Sequence, residues 1–371
     1  MTAPVRLFVA DSLPAEVRRF LDRVAELPDV VAIAVMPDVH LAGEACVGTA
    51  IATRGTLRPA LLGSDLGCGV AALPLGGHVD VLDRSPVLAS DLLDAIRRAV
   101  PLDRRPTALA PRDAVLDAPL STPRLQKLAE REGRIELGTV GRGNHFVELQ
   151  RDEDDGTLWL MVHTGSRAMG PAIQAHHEAS APRPRDAVLD ATSPAGHAYL
   201  SDVGWALEYA RVSRRVIAVA VAEVAHDLLG IEPDLEALVD CHHDAVSEEE
   251  HAGERVWVHR KGAVHAALGA PVLVPGSMGT ASFHAEGRGH AAALTSSAHG
   301  AGRAVPRGEA RRRFGPREIE RQLAGVLVHP SRLRDLGDEV PDAYKDVRAV
   351  MRAQRDLVRV VRRLRPVLVH K

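Results

Sequence analysis

Short apolar runs separated by glycine and proline recur along the chain and predict its β-strands. These runs are rich in valine, isoleucine and alanine, and turn-forming residues bound them on both sides. The strands predicted in this way cover residues 31–36, 46–53, 69–75, 145–149, 157–162, 238–241, 255–259 and 271–274. Continuous apolar character over so few residues is typical of strands that are buried in a sheet.

Longer segments with apolar residues at helical spacing predict the helices. The stretch 88–135 is charged and helical, and its polar, proline-containing interior at 101–123 is a candidate excursion from the main body. A long helix is predicted from Gly196 to Leu229, and two more near 317–327 and 345–363. Strands and helices interleave without a regular βαβ rhythm, so we predict an α+β fold in one large domain over residues 1–371.

Composition and charge exclude several classes of protein. The 371 residues contain no apolar stretch long enough to span a membrane, and the N-terminus does not resemble a signal peptide. Three cysteines do not make a disulfide framework, so we expect a protein of the reducing cytoplasm. Residues 303–371 hold 18 Lys and Arg against 9 Asp and Glu, although the whole chain carries −3. Such a basic segment suits a polyanionic partner, and a solvated helix face explains it equally well.

Polar residues that can carry chemistry stand at the ends of the predicted strands, among glycines. They are Asp38, His40, Asp65, Cys68, Asn144, His145, His163, His242, His243 and His299. Any one of these histidines alone is more often a hydrogen-bonded core residue, and Cys68 alone is equally a small buried apolar residue. Together, a thiol, a carboxylate and several imidazoles form a plausible ligand set for a divalent metal. Their spacing is not that of a zinc finger, which favours a catalytic site with open coordination positions.

Four glycine-rich turns add a second kind of candidate chemistry. They are GTVGRGN at 138–144, TGSRAMG at 164–170, PGSMGTAS at 275–282 and HGAGR at 299–303. None has the spacing of a P-loop, but Arg167 and Arg303 lie in two of them. Backbone N–H groups and guanidinium groups in such turns bind phosphate. The residues by themselves therefore indicate metal-dependent phosphoryl chemistry on a polyanion.

Taken together, the motifs resemble the RtcB family of RNA ligases. The matching segments span residues 36–347 in the family's order: MPDVHLAGEACVGTAIATRG, GSDLGCGV, GTVGRGNHFVEL, VHTGSRAMG, CHHDAVSEEEH, VHRKGAV, PVLVPGSMGTASF, HGAGR and DEVPDAYKDV. The resemblance implies the RtcB fold, with mixed sheets and flanking helices around a central dinuclear metal site. Residues 303–371 would complete its nucleotide site.

The resemblance also implies a ligand set for two manganese(II) ions per subunit. Asp65, Cys68 and His145 match the ligands of one ion, whereas Cys68, His163 and His243 match those of the other. The Cys68 thiolate would bridge the two ions. Asp38 and His40 match a DxH motif beside the site.

For the nucleotide, the resemblance implies GTP as the second cofactor and His299 as the residue that becomes guanylylated. Asn144 matches a residue that touches the nucleotide phosphates. The residues that match positions holding the guanine or its sugar are Glu148, Ser282, Tyr344 and Lys371. The implied reaction joins an RNA 3′-phosphate or 2′,3′-cyclic phosphate end to a 5′-hydroxyl end, in RNA repair or tRNA splicing.

Three positions depart from the family pattern. Asp244 and Ser213 stand where asparagine is usual, and Arg142 stands where glycine is usual. One alternative reading is a metal-dependent RNA-end phosphoesterase on the same scaffold, and another is an RNA-binding relative without activity. We expect a monomer. The sequence leaves open the identity of the RNA and the need for an activating protein.

Overall fold

The computed structural model of the chain describes residues 2–43, 45–107, 114–181 and 187–371. The strands are β1 (Val5–Leu7), β2 (Val30–Ala42), β3 (Ala45–Thr53), β4 (Thr56–Leu57), β5 (Gly69–His78), β6 (Phe146–Asp152), β7 (Thr157–Thr164), β8 (Leu189–Asp190), β9 (Val239–His242), β10 (Asp244–His251), β11 (Glu254–Lys261), β12 (Ala263–His265), β13 (Pro271–Val274), β14 (Ser282–Gly287), β15 (Ser296–Ala298), β16 (Leu327–Val328) and β17 (Val358–His370).

Helices flank these strands. The α-helices are α1 (Ala15–Ala25), α2 (Pro59–Leu62), α3 (Asp80–Asp83), α4 (Pro86–Ala99), α5 (Pro123–Leu128), α6 (Arg134–Glu136), α7 (Met169–Ala179), α8 (Pro194–Leu229), α9 (Arg307–Arg313), α10 (Pro316–Gln322) and α11 (Val347–Ala353). A π-helical turn, Ala129–Gly133, joins α5 to α6, and short 3₁₀ turns occur elsewhere. Among the residues that the structure describes, no helix has the length and apolar character needed to cross a membrane.

Two large sheets form the centre of the fold. One has five strands in the order β1-β2-β3-β11-β10. The other has eight: the path β13-β14-β17-β6-β7-β5-β9, with β16 paired to β17. Most neighbouring strands are antiparallel, and the exceptions are β1 with β2 and β16 with β17. This mixed arrangement of sheets and helices confirms the expected α+β class.

Strand β7 shows how the apolar pattern builds two layers. Leu158, Leu160 and Val162 face a cluster that contains residues of α4 and α8. Trp159 and Met161, which alternate with them, face the cluster between the two sheets. Successive side chains of a strand point to opposite faces, so a strand that is apolar throughout must be covered on both sides. All eight predicted strands are present.

The long helix predicted from Gly196 to Leu229 is confirmed as α8. It begins two residues earlier, where the Ser193 hydroxyl accepts the backbone N–H of Gly196 at 3.1 Å and Pro194 occupies the first turn. Its last residue is Leu229. The following Gly230 has a φ of 65°, in the left-handed conformation that closes many helices. Helices also form within 88–135, where Leu116 and Leu125 are buried, and residues 108–113 of that segment lie outside the described residues.

The predicted helix at 345–363 is wrong beyond its first two turns. Helix α11 stops at Ala353, and residues from Val358 onward form β17 between β14 and β6. Valines at 358, 360 and 361 favour a strand, and Pro366 cannot continue a helix because it lacks a backbone donor. Pro366 lies at a register shift of the β17–β6 pair. The helix near 317–327 is shorter than predicted and ends at Gln322.

Arg214 joins α8 to the strands that carry the polar motifs. Its guanidinium group donates to Asp240 at 2.6 and 2.7 Å, and to the carbonyl oxygens of Gly67 and Thr164 at 3.0 and 2.9 Å. The side chain is only 1% exposed. A buried charge needs both an opposite charge and filled hydrogen bonds, and this arginine has both.

Replacing Arg214 with Met should lower the free energy of unfolding by about 3 kcal/mol, because Asp240 would lose its counter-charge in a mostly buried position. Urea unfolding followed by circular dichroism measures this change. The control is Arg321→Met, which removes an exposed guanidinium paired within α10. Its unfolding midpoint should match the parent protein, and equal midpoints for both variants would show that Arg214 is not structurally important.

Candidate active site

The polar residues at the strand ends line one central cavity of about 330 Å³. Strands of both large sheets end there, so residues far apart in sequence meet. The cavity wall includes His40, Asp65, Cys68, Asn144, His145, Glu148, His163, His243, Asp244, Lys261, His299, Arg303, Arg307, Glu339, Tyr344 and Lys371. Four of the candidate residues named from the sequence are absent from this wall: Asp38, Arg167, His242 and Ser282. Ser282 lies behind the wall, where its hydroxyl accepts the Gly276 N–H at 3.2 Å.

Cys68 is at the centre of a cluster of imidazoles. Its Sγ lies 3.3 Å from Nε2 of His163 and 3.5 Å from Nε2 of His145. Cys68, His163 and His243 each offer one ligand atom. These three atoms lie within 4.8 Å of one another, and all three residues are buried. This geometry suits a single metal ion held by one sulfur and two nitrogens.

Burial keeps the three imidazoles neutral, which is the form that binds a metal. It lowers the pKa of His145 to about 4 and lowers the pKa values of His163 and His243 well below the usual value. His163 Nδ1 donates to the Asn144 carbonyl at 3.0 Å, which leaves the lone pair of Nε2 facing Cys68. Burial raises the pKa of the Cys68 thiol, so a cation would have to displace its proton.

His243 supplies a further sign that something belongs in this cluster. Its Nδ1 is buried and has no hydrogen-bond partner among the residues that the structure describes. An unpaired buried nitrogen is costly unless a ligand or ion completes its contacts. The donor set and the unpaired nitrogen together fit a bound divalent cation.

His299 is oriented by a carboxylate from the other end of the sequence. Its Nδ1 donates to Oδ2 of Asp38 at 2.7 Å, and the same oxygen accepts the backbone N–H groups of His299 and Gly300 at 3.1 and 3.3 Å. Burial acts to lower the pKa of His299, but the Asp38 and Asp244 carboxylates together raise it above the usual value. With Nδ1 bonded to Asp38, Nε2 is the ring nitrogen that is available to a ligand.

Tight backbone packing holds Asp38 in place. A Cβ on Gly302 would lie 2.3 Å from the Asp38 carbonyl oxygen, and one on Gly48 would lie 2.7 Å from the Val39 backbone. Lys345 Nζ donates to the carbonyl oxygens of Pro37 and Val39, at 3.0 and 2.7 Å, on either side of Asp38. We did not predict Lys345 from the sequence. The only signal for it is its place in the DEVPDAYKDV segment.

A second charged group lies at the far end of the cavity. Lys371 Nζ donates to Oε2 of Glu339 at 2.5 Å, and the Tyr344 hydroxyl donates to the same oxygen at 2.7 Å. Arg307 pairs with the other Glu339 oxygen. Burial acts to raise the pKa of Glu339, but Lys371 and Arg307 outweigh it and lower the pKa. Glu339 thus fixes three residues that line the cavity: Lys371, Tyr344 and Arg307. We did not predict Glu339 from the sequence as a site residue.

Glu148 is buried beside this group. Burial raises its pKa to about 7, although Gln150 Nε2 donates to its Oε2 at 2.7 Å. Gln150 also reaches the Ser282 hydroxyl at 3.2 Å, so Ser282 contacts the site through Gln150.

Of the three departures from the family pattern, one lies on the cavity wall. Asp244 is buried there and contacts Lys261 at 3.1 Å. Ser213 is buried in α8, where its hydroxyl accepts the Gly138 N–H at 3.0 Å. Arg142 is exposed and pairs with Asp103 at 2.7 Å.

Comparisons with known proteins agree with the geometry. A family model described as tRNA-splicing ligase RtcB matches residues 21–120 and 114–371. An RNA-splicing ligase RtcB of Escherichia coli K12 is 34% identical and is aligned over 100% of this chain and 97% of its own length. That of Mycobacterium tuberculosis is 31% identical over 92% of this chain and 98% of its own. A tRNA-splicing ligase RtcB of Pyrobaculum aerophilum is 29% identical, and the alignment covers 91% of this chain and 87% of that protein. The chain belongs to the RtcB family.

Proposed function

We propose that this protein is a GTP- and manganese-dependent RNA ligase. It joins RNA ends that carry a 3′-phosphate or 2′,3′-cyclic phosphate to ends that carry a 5′-hydroxyl. The observation that carries the proposal is His299, whose Nδ1 is held by Asp38 while its ring lies 4.7 Å from that of His243 in the Cys68 cluster. An imidazole oriented by a carboxylate is a competent nucleophile.

The metal part of the proposal assigns two manganese(II) ions to the cavity. Asp65, Cys68 and His145 would hold one ion, and Cys68, His163 and His243 the other, with the sulfur shared. The 3.3 and 3.5 Å separations of Cys68 from two imidazoles support the sharing. Bound ions would neutralise charge on phosphoryl oxygens. Thiolate, imidazole and carboxylate together accept manganese as well as softer metals.

The nucleotide part assigns the Glu339 end of the cavity to GTP. The guanine edge offers N–H donors, which suit the carboxylate of Glu148 once that group is ionised. Lys371 and Tyr344 are oriented by Glu339 toward the guanine or its sugar, Ser282 supports them from behind the wall, and Asn144 binds phosphate. Arg303 stacks 5.0 Å from the Tyr344 ring, and its terminal nitrogens have no hydrogen-bond partner in the described part of the chain.

The proposed reaction has three phosphoryl-transfer steps: the first two move the guanylyl group, and the third moves the RNA 3′-phosphoryl group. The Nε2 of His299 attacks the α-phosphorus of GTP, forming a P–N bond and releasing pyrophosphate. The guanylate passes to an RNA 3′-phosphate, which regenerates the imidazole. A 5′-hydroxyl then attacks the activated phosphate, and GMP leaves. A cyclic phosphate end is first opened by water to a 3′-phosphate.

We propose that residues 1–371 act as one ligase domain in the cytoplasm, and as a monomer. Contacts between distant parts of the chain support the single domain, since the cavity needs His40 from β2 and Lys371 from the end of β17.

Four arginines of β17 pair with acids of β6, β14 and the β6–β7 turn, so part of the basic charge of residues 303–371 is neutralised.

Replacing His299 with Ala should abolish both guanylylation and RNA joining, because the proposed nucleophile is removed. The protein is incubated with manganese and α-labelled GTP, and acid-labile label on the protein is measured beside joining of 3′-phosphate and 5′-hydroxyl RNA. Bound metal, counted by mass spectrometry, should stay at the parent level. His226→Ala, on the surface of α8, is the matched control and should retain the label. An unlabelled parent that still removes RNA end phosphates would instead identify a phosphoesterase.

Replacing Lys371 with Met should raise the KM for GTP about tenfold, because a hydrogen bond from a charged donor is lost. The kcat should fall less, since the lysine is not next to the reacting phosphorus in the proposed pose. Initial rates of guanylylation over a range of GTP concentrations separate the two constants. An unchanged KM would remove Lys371 from the nucleotide site.

A further inference from the structure

Lys261 lies between two carboxylates in the cavity wall. Its Nζ is 2.8 Å from Oδ2 of Asp65 and 3.1 Å from Oδ2 of Asp244, and its side chain is only 4% exposed. A buried ammonium group is stable only while a carboxylate stays beside it. Lys261 therefore depends on at least one of these two partners.

The two partners differ in how firmly they are held. The Asp244 side chain is 5% exposed, and its Oδ1 accepts the Gly262 N–H at 2.7 Å. The Asp65 side chain is 63% exposed and borders both the central cavity and a neighbouring groove. Asp65 therefore has room to rotate, whereas Asp244 is fixed by the backbone.

The Asp65 carboxylate has two competing uses. The proposed ligase needs it as a metal ligand, but it faces Lys261 and is not part of the close Cys68–His163–His243 group. A cation bound next to Lys261 would also repel the ammonium group. Asp65 can turn to a cation at low cost only if another carboxylate keeps Lys261 neutralised.

We propose that Asp244 is a positioning residue that retains the Lys261 ammonium group while Asp65 turns from that lysine to a bound divalent cation. This inference rests on the metal part of the proposed function. Asp244 acts through Lys261 and does not itself touch the cation. Its effect is therefore specific to the ion that Asp65 helps to hold, and it requires the lysine.

The first test is the affinity of the protein for Mn²⁺ alone, without GTP or RNA, measured by the loss of the free-ion signal in electron paramagnetic resonance. Asp244→Asn keeps an oxygen for the Gly262 N–H, so the local fold is preserved, but it leaves Asp65 as the only carboxylate on Lys261. Binding of one ion should weaken about tenfold, within the range for lost outer-shell contacts. The second ion, at Cys68, His163 and His243, should bind as in the parent.

Asp356→Asn is the charge-matched control, because that carboxylate is 76% exposed and lies outside the cavity wall. Its Mn²⁺ affinities should equal those of the parent. If Asp244→Asn binds both ions as tightly as the parent, the proposal is overturned while the ligase assignment stands. A parent protein that binds no Mn²⁺ would overturn the proposed function itself, and this inference with it.

A double-mutant cycle separates positioning from simple attraction between Asp244 and the cation. In a Lys261→Gln background Asp65 has no lysine to release, so adding Asp244→Asn should change Mn²⁺ affinity less than twofold. A persistent tenfold loss would mean that Asp244 acts by its charge alone, which contradicts the proposal. If Lys261→Gln fails to fold, Lys261→Met, which keeps the apolar stem and removes the charge, takes its place in the same cycle with the same two outcomes.

Discussion

The hydrogen bonds to Oδ2 of Asp38 are the contacts on which the rest of the site depends. That single oxygen accepts the ring Nδ1 of His299 and two backbone N–H groups of the following turn, and so joins segments 261 residues apart. Gly48 and Gly302 pack directly against residues 38–39, and neither position has room for a Cβ. Glycine at both positions is therefore needed for this carboxylate to keep its place. Lys345 holds the carbonyl groups on both sides of it. The orientation of the His299 ring is thus determined by the packing of β2 against the 299–303 turn.

A second constraint is the neutralisation of buried charge. Lys371 and Arg307 share Glu339, Arg214 pairs with Asp240, and Lys261 lies between Asp65 and Asp244. Most of these groups are buried in or beside the cavity wall, where an unpaired charge is costly. Charged groups in such a wall have little freedom to move singly. An ion that binds Asp65 must therefore compete with its present partner, Lys261.

Local signals account for the part of the fold that the sequence predicts. Apolar runs bounded by glycine and proline identify eight strands, and apolar residues at helical spacing identify α8, because both patterns are read from neighbouring residues. The local signals for β17 conflict: its valines favour a strand, whereas its mixture of arginines and apolar residues also suits a helix, and pairing with β14 and β6 decides the outcome. In the site, strand-end residues were predictable, whereas Glu339 and Lys345 were not, because their importance comes from contacts across the fold.

The three departures from the family pattern show why position in the fold matters more than the kind of substitution. Ser213 satisfies a backbone N–H with its hydroxyl inside the helix packing, and Arg142 pairs with Asp103 at the surface. Neither adds a charge to the cavity wall. Asp244 adds a negative charge to the wall. It lies next to Lys261, which already has the Asp65 carboxylate as a partner. An asparagine there could still accept the Gly262 N–H, so the backbone does not require the acid. The extra negative charge must therefore be explained by Lys261 and by what the cavity binds.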